Sequence, residues 1–258
     1  MSREALTLTE VRDRLAWVTL NRPARHNSLV PELLDSLNEA LASLARQKPL
    51  AIVLAARGES FSTGGDVAAF AALARGGRRA YADRLIGALN EAILRLLDLP
   101  CPVIVRLHGP VTGGSAGLVL AADLVAMSPK SYFAPYYVEI GFAPDGGWTA
   151  LLPERIGAAR AAAVQLLNRR IEADEAVRLG LATEVVPHDR LDTVIESWLA
   201  TLTAKSAGSI EATRQLLLPP ERRDAIARNL QRERDRFLEL IETDGTEARM
   251  ARFLGRKK

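Results

Sequence analysis

Short aliphatic runs alternate with amphipathic helical stretches through the first part of the chain, and from about residue 189 onward only the helical pattern continues. That change most restricts the fold. Residues 16–20, 51–55, 103–107 and 124–127 are aliphatic or β-branched and bounded by turn residues, which predicts strands. Between them, residues 31–45 place Leu33, Leu34, Leu37, Leu41 and Leu44 at helical spacing behind Pro31, which suits a first helical turn. Leu85, Leu89, Ile93 and Leu96 repeat the pattern. With no linker and no exact repeat, residues 1–188 read as one α/β body. Residues 189–258 read as a helical region, with helices expected over 189–203, 206–217, 222–240 and 246–254. Their apolar faces require cover from the chain's own core or from a neighbouring subunit.

Charge and composition remove several function classes. The 258 residues carry 34 basic and 31 acidic side chains. The basic ones are scattered singly or in pairs such as Arg78-Arg79 and Arg169-Arg170, without the dense clustering of a nucleic-acid groove. The longest apolar stretch, residues 116–127, is interrupted by Asp123 and falls short of the ~20 residues that span a bilayer. The first ten residues alternate polar and apolar types, unlike a secretory signal, so a cytoplasmic protein is expected. The single cysteine, Cys101, lies between Pro100 and Pro102 and can form no internal disulfide; it reads as structural.

Three glycine-containing segments carry the candidate chemistry. Residues 58–67 place Gly64-Gly65 before Asp66, a helix-starting residue, which allows close approach of a ligand to backbone N–H groups. Residues 108–118 place Gly113-Gly114 ahead of an apolar helix, where a helix N-terminus favours negative charge. The same segment contains Gly-x-Ser-x-Gly at 113–117, the pattern of a serine-hydrolase nucleophile elbow. Ser115 with His188 and either Asp145 or Asp174 would satisfy the chain order of a triad. Against this, five residues including Pro110 separate Leu107 from Gly113, whereas an elbow turns sharply from strand into helix. In the third segment, residues 136–148, Asp145 sits between Pro144 and two glycines with Phe142 and Trp148 near. It reads either as a turn or cap residue or as a carboxylate in an apolar pocket, its pKa raised above ~3.9 and suited to moving protons.

Taken in order, these segments resemble the enoyl-CoA hydratase/isomerase family, the crotonase superfamily. The resemblance begins at residues 21–29 (Asn-Arg-Pro-Ala-Arg-His-Asn-Ser-Leu). It continues through Phe-Ser-Thr-Gly-Gly-Asp at 61–66 and Gly113-Gly114 to Ile-Gly-Phe-Ala-Pro-Asp-Gly-Gly at 140–147 and Leu-Leu-Pro at 151–153. It implies a crotonase-like (ClpP/crotonase) spiral of ββα units with a C-terminal helical region that trimerises, giving a homotrimer or a dimer of trimers. It further implies an acyl-CoA thioester as substrate, with a role in fatty acid metabolism, and an oxyanion hole made by the N–H groups of Gly65 and Gly114. Around the substrate it places Ala24, Arg25, His26, Thr63, Asp66, Val67, Gly113 and Tyr137. Arg25 would meet a CoA phosphate, its guanidinium matching phosphate oxygens. Phe253 and Lys257 would lie near a neighbour's ligand. No metal, flavin or nicotinamide cofactor is implied.

The departures from the family pattern lie at the carboxylates. Gly117 and Tyr137 occupy the positions of the two glutamates typical of hydratases, while Asp145 matches the working acid of several isomerases and a dehalogenase. Glu139, two residues from Tyr137, would serve instead under a local register shift. One carboxylate facing an enolate hole predicts a double-bond shift in an enoyl-CoA, with hydration of a 2-enoyl-CoA as the alternative. A serine hydrolase using Ser115 and an inert CoA-binding homologue are the remaining readings. Tyr137 and Gly117 are expected to leave room for a longer or bulkier acyl group, with the pocket lining expected around Phe70, Tyr81 and Leu85.

Overall fold

In a computed structural model that describes residues 5–255, the chain opens on a hairpin, β1 (Thr7–Arg12) against β2 (Leu15–Leu20). It turns through Asp13 and Arg14, both at positive φ, as a two-residue hairpin turn requires. Alternate residues Ala16, Val18 and Leu20 of β2 face the core. Helix α1 (Pro31–Gln47) starts on Pro31 and buries the five leucines of its apolar stripe. It leads to β3 (Ala51–Ala56), buried along its whole length as befits a parallel strand covered on both faces. Helices α2 (Val67–Ala71) and α3 (Gly77–Asp98) precede β4 (Val103–Leu107).

From there the chain alternates between two sheets. β5 (Pro110–Thr112), α4 (Ala116–Leu120), β6 (Leu124–Met127), β7 (Tyr132–Ala134) and α5 (Tyr137–Ile140) follow in turn. After α6 (Leu152–Ile156) and α7 (Ala158–Leu166) come β8 (Ile171–Glu172), α8 (Ala173–Arg178) and β9 (Glu184–Val185). A six-stranded sheet runs β1-β2-β3-β4-β6-β9, parallel except for the opening hairpin, and a three-stranded sheet runs β5-β7-β8. β4 and β6 belong to the large sheet, and the strands that follow each, β5 and β7, belong to the small one. These two turns of the chain thus add a strand to each sheet, in the manner of the spiral of ββα units that the resemblance implies.

The rest is helical: α9 (Leu191–Thr203), α10 (Ala207–Leu217), α11 (Pro220–Leu240) and α12 (Asp244–Gly255). Three of these helices cover the chain's own core, α12 through Met250. α9 lays Leu191, Ile195 and Leu199 on Ala51, Val53, Ile104 and Ala126 of the large sheet. α11 packs along α3, burying Ile226, Leu230 and Phe237 in the main core. None of the described helices is long and apolar enough to cross a membrane.

Candidate active site

Three loops meet where β3 and β4 end. The segment after β2 is fixed by Asn27, which is fully buried at positive φ. Its amide donates to the carbonyls of Arg57 and Ser60 (2.8 and 2.9 Å) and its Oδ1 accepts from Arg22 N–H (2.8 Å). Leu29 N–H then donates to Gly64 O (2.7 Å), and Asp66 N–H to Leu29 O (3.2 Å). The next loop joins the third through Ser62 and Val111, with Thr112 N–H donating to Ser62 O (3.1 Å). A Cβ on Gly64, at φ +73°, would stand 2.5 Å from Thr112 O, so only glycine fits there. Gly65 and Gly114 lie within this lacework, and among the described residues neither backbone N–H donates to a protein acceptor.

Around these loops is a cavity of about 520 Å³, and it is lined by Asp145 and by every residue that the resemblance places at the oxyanion hole or around the substrate. Ala24, Arg25 and His26 come from the first loop, Thr63, Gly65, Asp66 and Val67 from the second, Gly113 and Gly114 from the third. Tyr137 comes from α5 and Asp145 from the turn beyond it. Phe70, Leu85, Phe142 and Phe237 supply apolar wall. Phe70 meets Tyr81, Phe142 and Phe237 at centroid distances of 5.2, 5.7 and 6.0 Å, so Tyr81 stands behind Phe70 and does not line the cavity. Phe237, 95 residues from its ring partner Phe142, had no local sequence signal beyond its place on an amphipathic face.

Asp145 is 8% exposed, and burial pushes its carboxyl up to about 6 even though the Tyr137 hydroxyl donates to Oδ1 and lowers it. The same hydroxyl lies 3.0 Å from Asp145 O. Burial, and then the Asp145 charge, holds the Tyr137 phenol well above its ordinary range, so it remains a donor. The carboxylate is set against the third loop: a Cβ on Gly114 would lie 2.7 Å from Asp145 Oδ1.

Several sequence expectations need correction at this turn. Gly117 does not line the cavity, and a Cβ there would lie 2.2 Å from Gly146 O and 2.4 Å from Ile93 Cδ1. It therefore leaves no room for an acyl group; the Asp145 turn occupies the space, and a glutamate would not fit. Tyr137 fills its position with a ring bonded to Asp145 and frees no space either. Glu139, two residues along α5 and so on roughly the opposite side of one helical turn, is absent from the cavity lining; no register shift brings it in. Ser115 is fully buried and its hydroxyl donates to Thr112 O (2.8 Å) and Ser62 O (3.1 Å), while His188 is exposed, so the elbow pattern is a loop tie and no triad forms. Cys101 is buried, and burial pushes its thiol up to about 11, consistent with a structural residue.

Arg25 and Asp66 belong to one ionic cluster. Asp66 caps α2 by accepting from Ala69 N–H, and it receives Arg25 (3.0 Å) and Arg22 (3.3 Å). Burial opposes its ionisation, but Arg25, the Ala69 N–H and Arg22 outweigh it and hold the carboxyl below its ordinary value. Asp66 is thus a neutralised anion, whereas Asp145 has no cationic partner among the described contacts. Phe253, expected beside a neighbour's ligand, lines this chain's own cavity against Tyr136, 6.3 Å between centroids. Lys257 lies outside the described residues.

A two-sheet ββα spiral that gathers glycine loops and one buried carboxylate around an apolar cavity is the architecture of the crotonase class. The model of the enoyl-CoA hydratase/isomerase family matches residues 10–258. A probable enoyl-CoA hydratase of Mycobacterium tuberculosis is 35% identical over 84% of this chain and 78% of its own length. A trans-2-decenoyl-[acyl-carrier-protein] isomerase of Streptococcus mutans is 27% identical over 81% and 80%. The solved enoyl-CoA hydratase of Bacillus halodurans superposes with a TM-score of 0.90 at 23% identity, covering 96% of this chain and 99% of that one, and supports the fold. This chain belongs to the enoyl-CoA hydratase/isomerase family and is an enzyme of that family.

Proposed function

We propose that the enzyme shifts the double bond of an enoyl-CoA, with Asp145 as the proton shuttle and the N–H groups of Gly65 and Gly114 as donors to the thioester oxygen. The observation that carries this reading is that, among the described residues lining the cavity, Asp145 is the one carboxylate without a cationic partner; burial pushes it up to about 6, beside Gly114. As a base it takes a proton from the carbon next to the thioester carbonyl, charge passes to the carbonyl oxygen, and two backbone donors meet it. As an acid it returns the proton two carbons along, which regenerates the carboxylate and leaves the double bond conjugated. A carboxyl near 6 accepts and gives up a proton with little penalty at neutral pH.

Hydration needs a second group to hold water. By the resemblance, Gly117 and Tyr137 stand where the family's hydratases carry glutamate, and the tyrosine hydroxyl is committed to Asp145. Incubation of 3-enoyl- and 2-enoyl-CoA in heavy water, read by mass spectrometry, separates the two activities. Deuterium gained without water is the expected result; conversion to a species heavier by one water identifies a hydratase instead.

The family reading also proposes a homotrimer or a dimer of trimers. Leu166, Leu167, Leu216 and Leu217 are 65–82% exposed on α7, α10 and the residue after α7, a cost in water that burial in an assembly removes. Sedimentation is expected to give three or six times the chain mass, and a concentration-independent monomer rejects the assembly.

A further inference from the structure

The turn that carries Asp145 rests on a second carboxylate that the proposed reaction does not use. Glu233, on α11, is 4% exposed and does not line the cavity. Four donors converge on it. Gly147 N–H reaches Oε2 at 2.8 Å, while Thr149 N–H, the Thr149 hydroxyl and Ala150 N–H reach Oε1 at 2.6, 2.6 and 3.0 Å. Backbone N–H groups aimed at one point form an anion-binding nest, and here the chain fills the nest with its own side chain. Without it the N–H groups of the buried Gly147 and Ala150 would be orphaned in the interior.

The turn needs such an external tie. Gly146 and Gly147 sit at φ +61° and +86° and have no side chains to fix them. They also lie hard against the third loop, since a Cβ on Gly146 would be 2.2 to 2.7 Å from the backbone of Gly114. A displacement of this turn therefore moves the Asp145 carboxylate and presses on Gly114 together. We propose that Glu233 is a positioning residue of the active site: by clamping residues 147–150 from α11, it holds Asp145 at its working distance from Gly114. The proposal rests on the reading of Asp145 as proton shuttle.

Glu233→Gln tests it in the full-length protein. Glutamine keeps the volume, but whichever way its amide is turned, an N–H₂ group faces at least one N–H donor. The readouts are steady-state isomerisation of a 3-enoyl-CoA and calorimetric binding of a saturated acyl-CoA. A misplacement near 1 Å costs up to about a hundredfold, so kcat is expected to fall about ten- to hundredfold while KM, Kd and stoichiometry stay within about twofold. A merely structural role would instead lower binding stoichiometry and rate together. Asp145→Asn, run alongside, is expected to abolish turnover, and adding Glu233→Gln to it should change nothing further. A folded Glu233→Gln with full kcat, beside a dead Asp145→Asn, overturns the positioning role alone. Full turnover in Asp145→Asn overturns the role of Asp145, and the positioning role with it. Should Glu233→Gln fail to fold, Thr149→Val, which removes one donor to Oε1, decides: a several-fold lower kcat at unchanged Kd supports the clamp, and an unchanged kcat rejects it.

Discussion

Among single residues, Tyr137 has the most to say about Asp145. Its hydroxyl lowers a carboxyl that burial raises, and the balance sits at about 6. Tyr137→Phe keeps the ring and removes the donor, so the Asp145 carboxyl should titrate higher, by about one unit or more for a charge-assisted bond. A base must be ionised to act, so the rate is lost as pH falls through the carboxyl pKa. In Tyr137→Phe the acid limb of kcat/KM should move to higher pH, and an unmoved limb would separate this bond from the reaction. Asp145 and the glycine pairs were legible in the sequence because each occurs in a short segment of telling order. The reasons for Gly117 were not: its neighbours Ile93 and Gly146 come from distant parts of the chain, and only packing shows that no side chain fits. The same holds for Ser115, whose pattern suggested chemistry and whose hydroxyl ties a loop.

Elements follow the same division between local and distant signals. The strands over 16–20, 51–55, 103–107 and 124–127 and the four C-terminal helices were readable because each runs long enough to show a period. β5, β7, β8 and β9 have two or three residues, and their existence depends on partners supplied by the spiral. Helix α11 shows what a legible element can still conceal. Its apolar face was plain, yet nothing local said that Phe237 walls the cavity or that Glu233 reaches residues 147–150. Phe237→Ala should destabilise the fold by about 3–5 kcal/mol, the usual cost of deleting a buried ring, and extend the cavity toward α11. Chemical denaturation measures the first effect. The second predicts that kcat/KM improves for longer acyl chains relative to shorter ones, and an unchanged ranking would mean that the acyl group lies elsewhere.

For the whole molecule, the spiral brings loops from three consecutive turns to one place, and α11 and α12 close over them from the C-terminal end. The geometry thus concentrates one un-neutralised carboxylate, two glycine N–H groups and an aromatic wall in a cavity of about 520 Å³. The central claim is that this carboxylate moves the proton. Asp145→Asn is the most direct test, since asparagine preserves size and can still accept from Tyr137 but cannot act as a base. With a 3-enoyl-CoA in heavy water, the wild-type enzyme should exchange the α-proton and form the conjugated isomer. Asp145→Asn should bind acyl-CoA with wild-type stoichiometry and do neither. If Asp145→Asn exchanges and isomerises at the wild-type rate, Asp145 is not the shuttle and the account is contradicted.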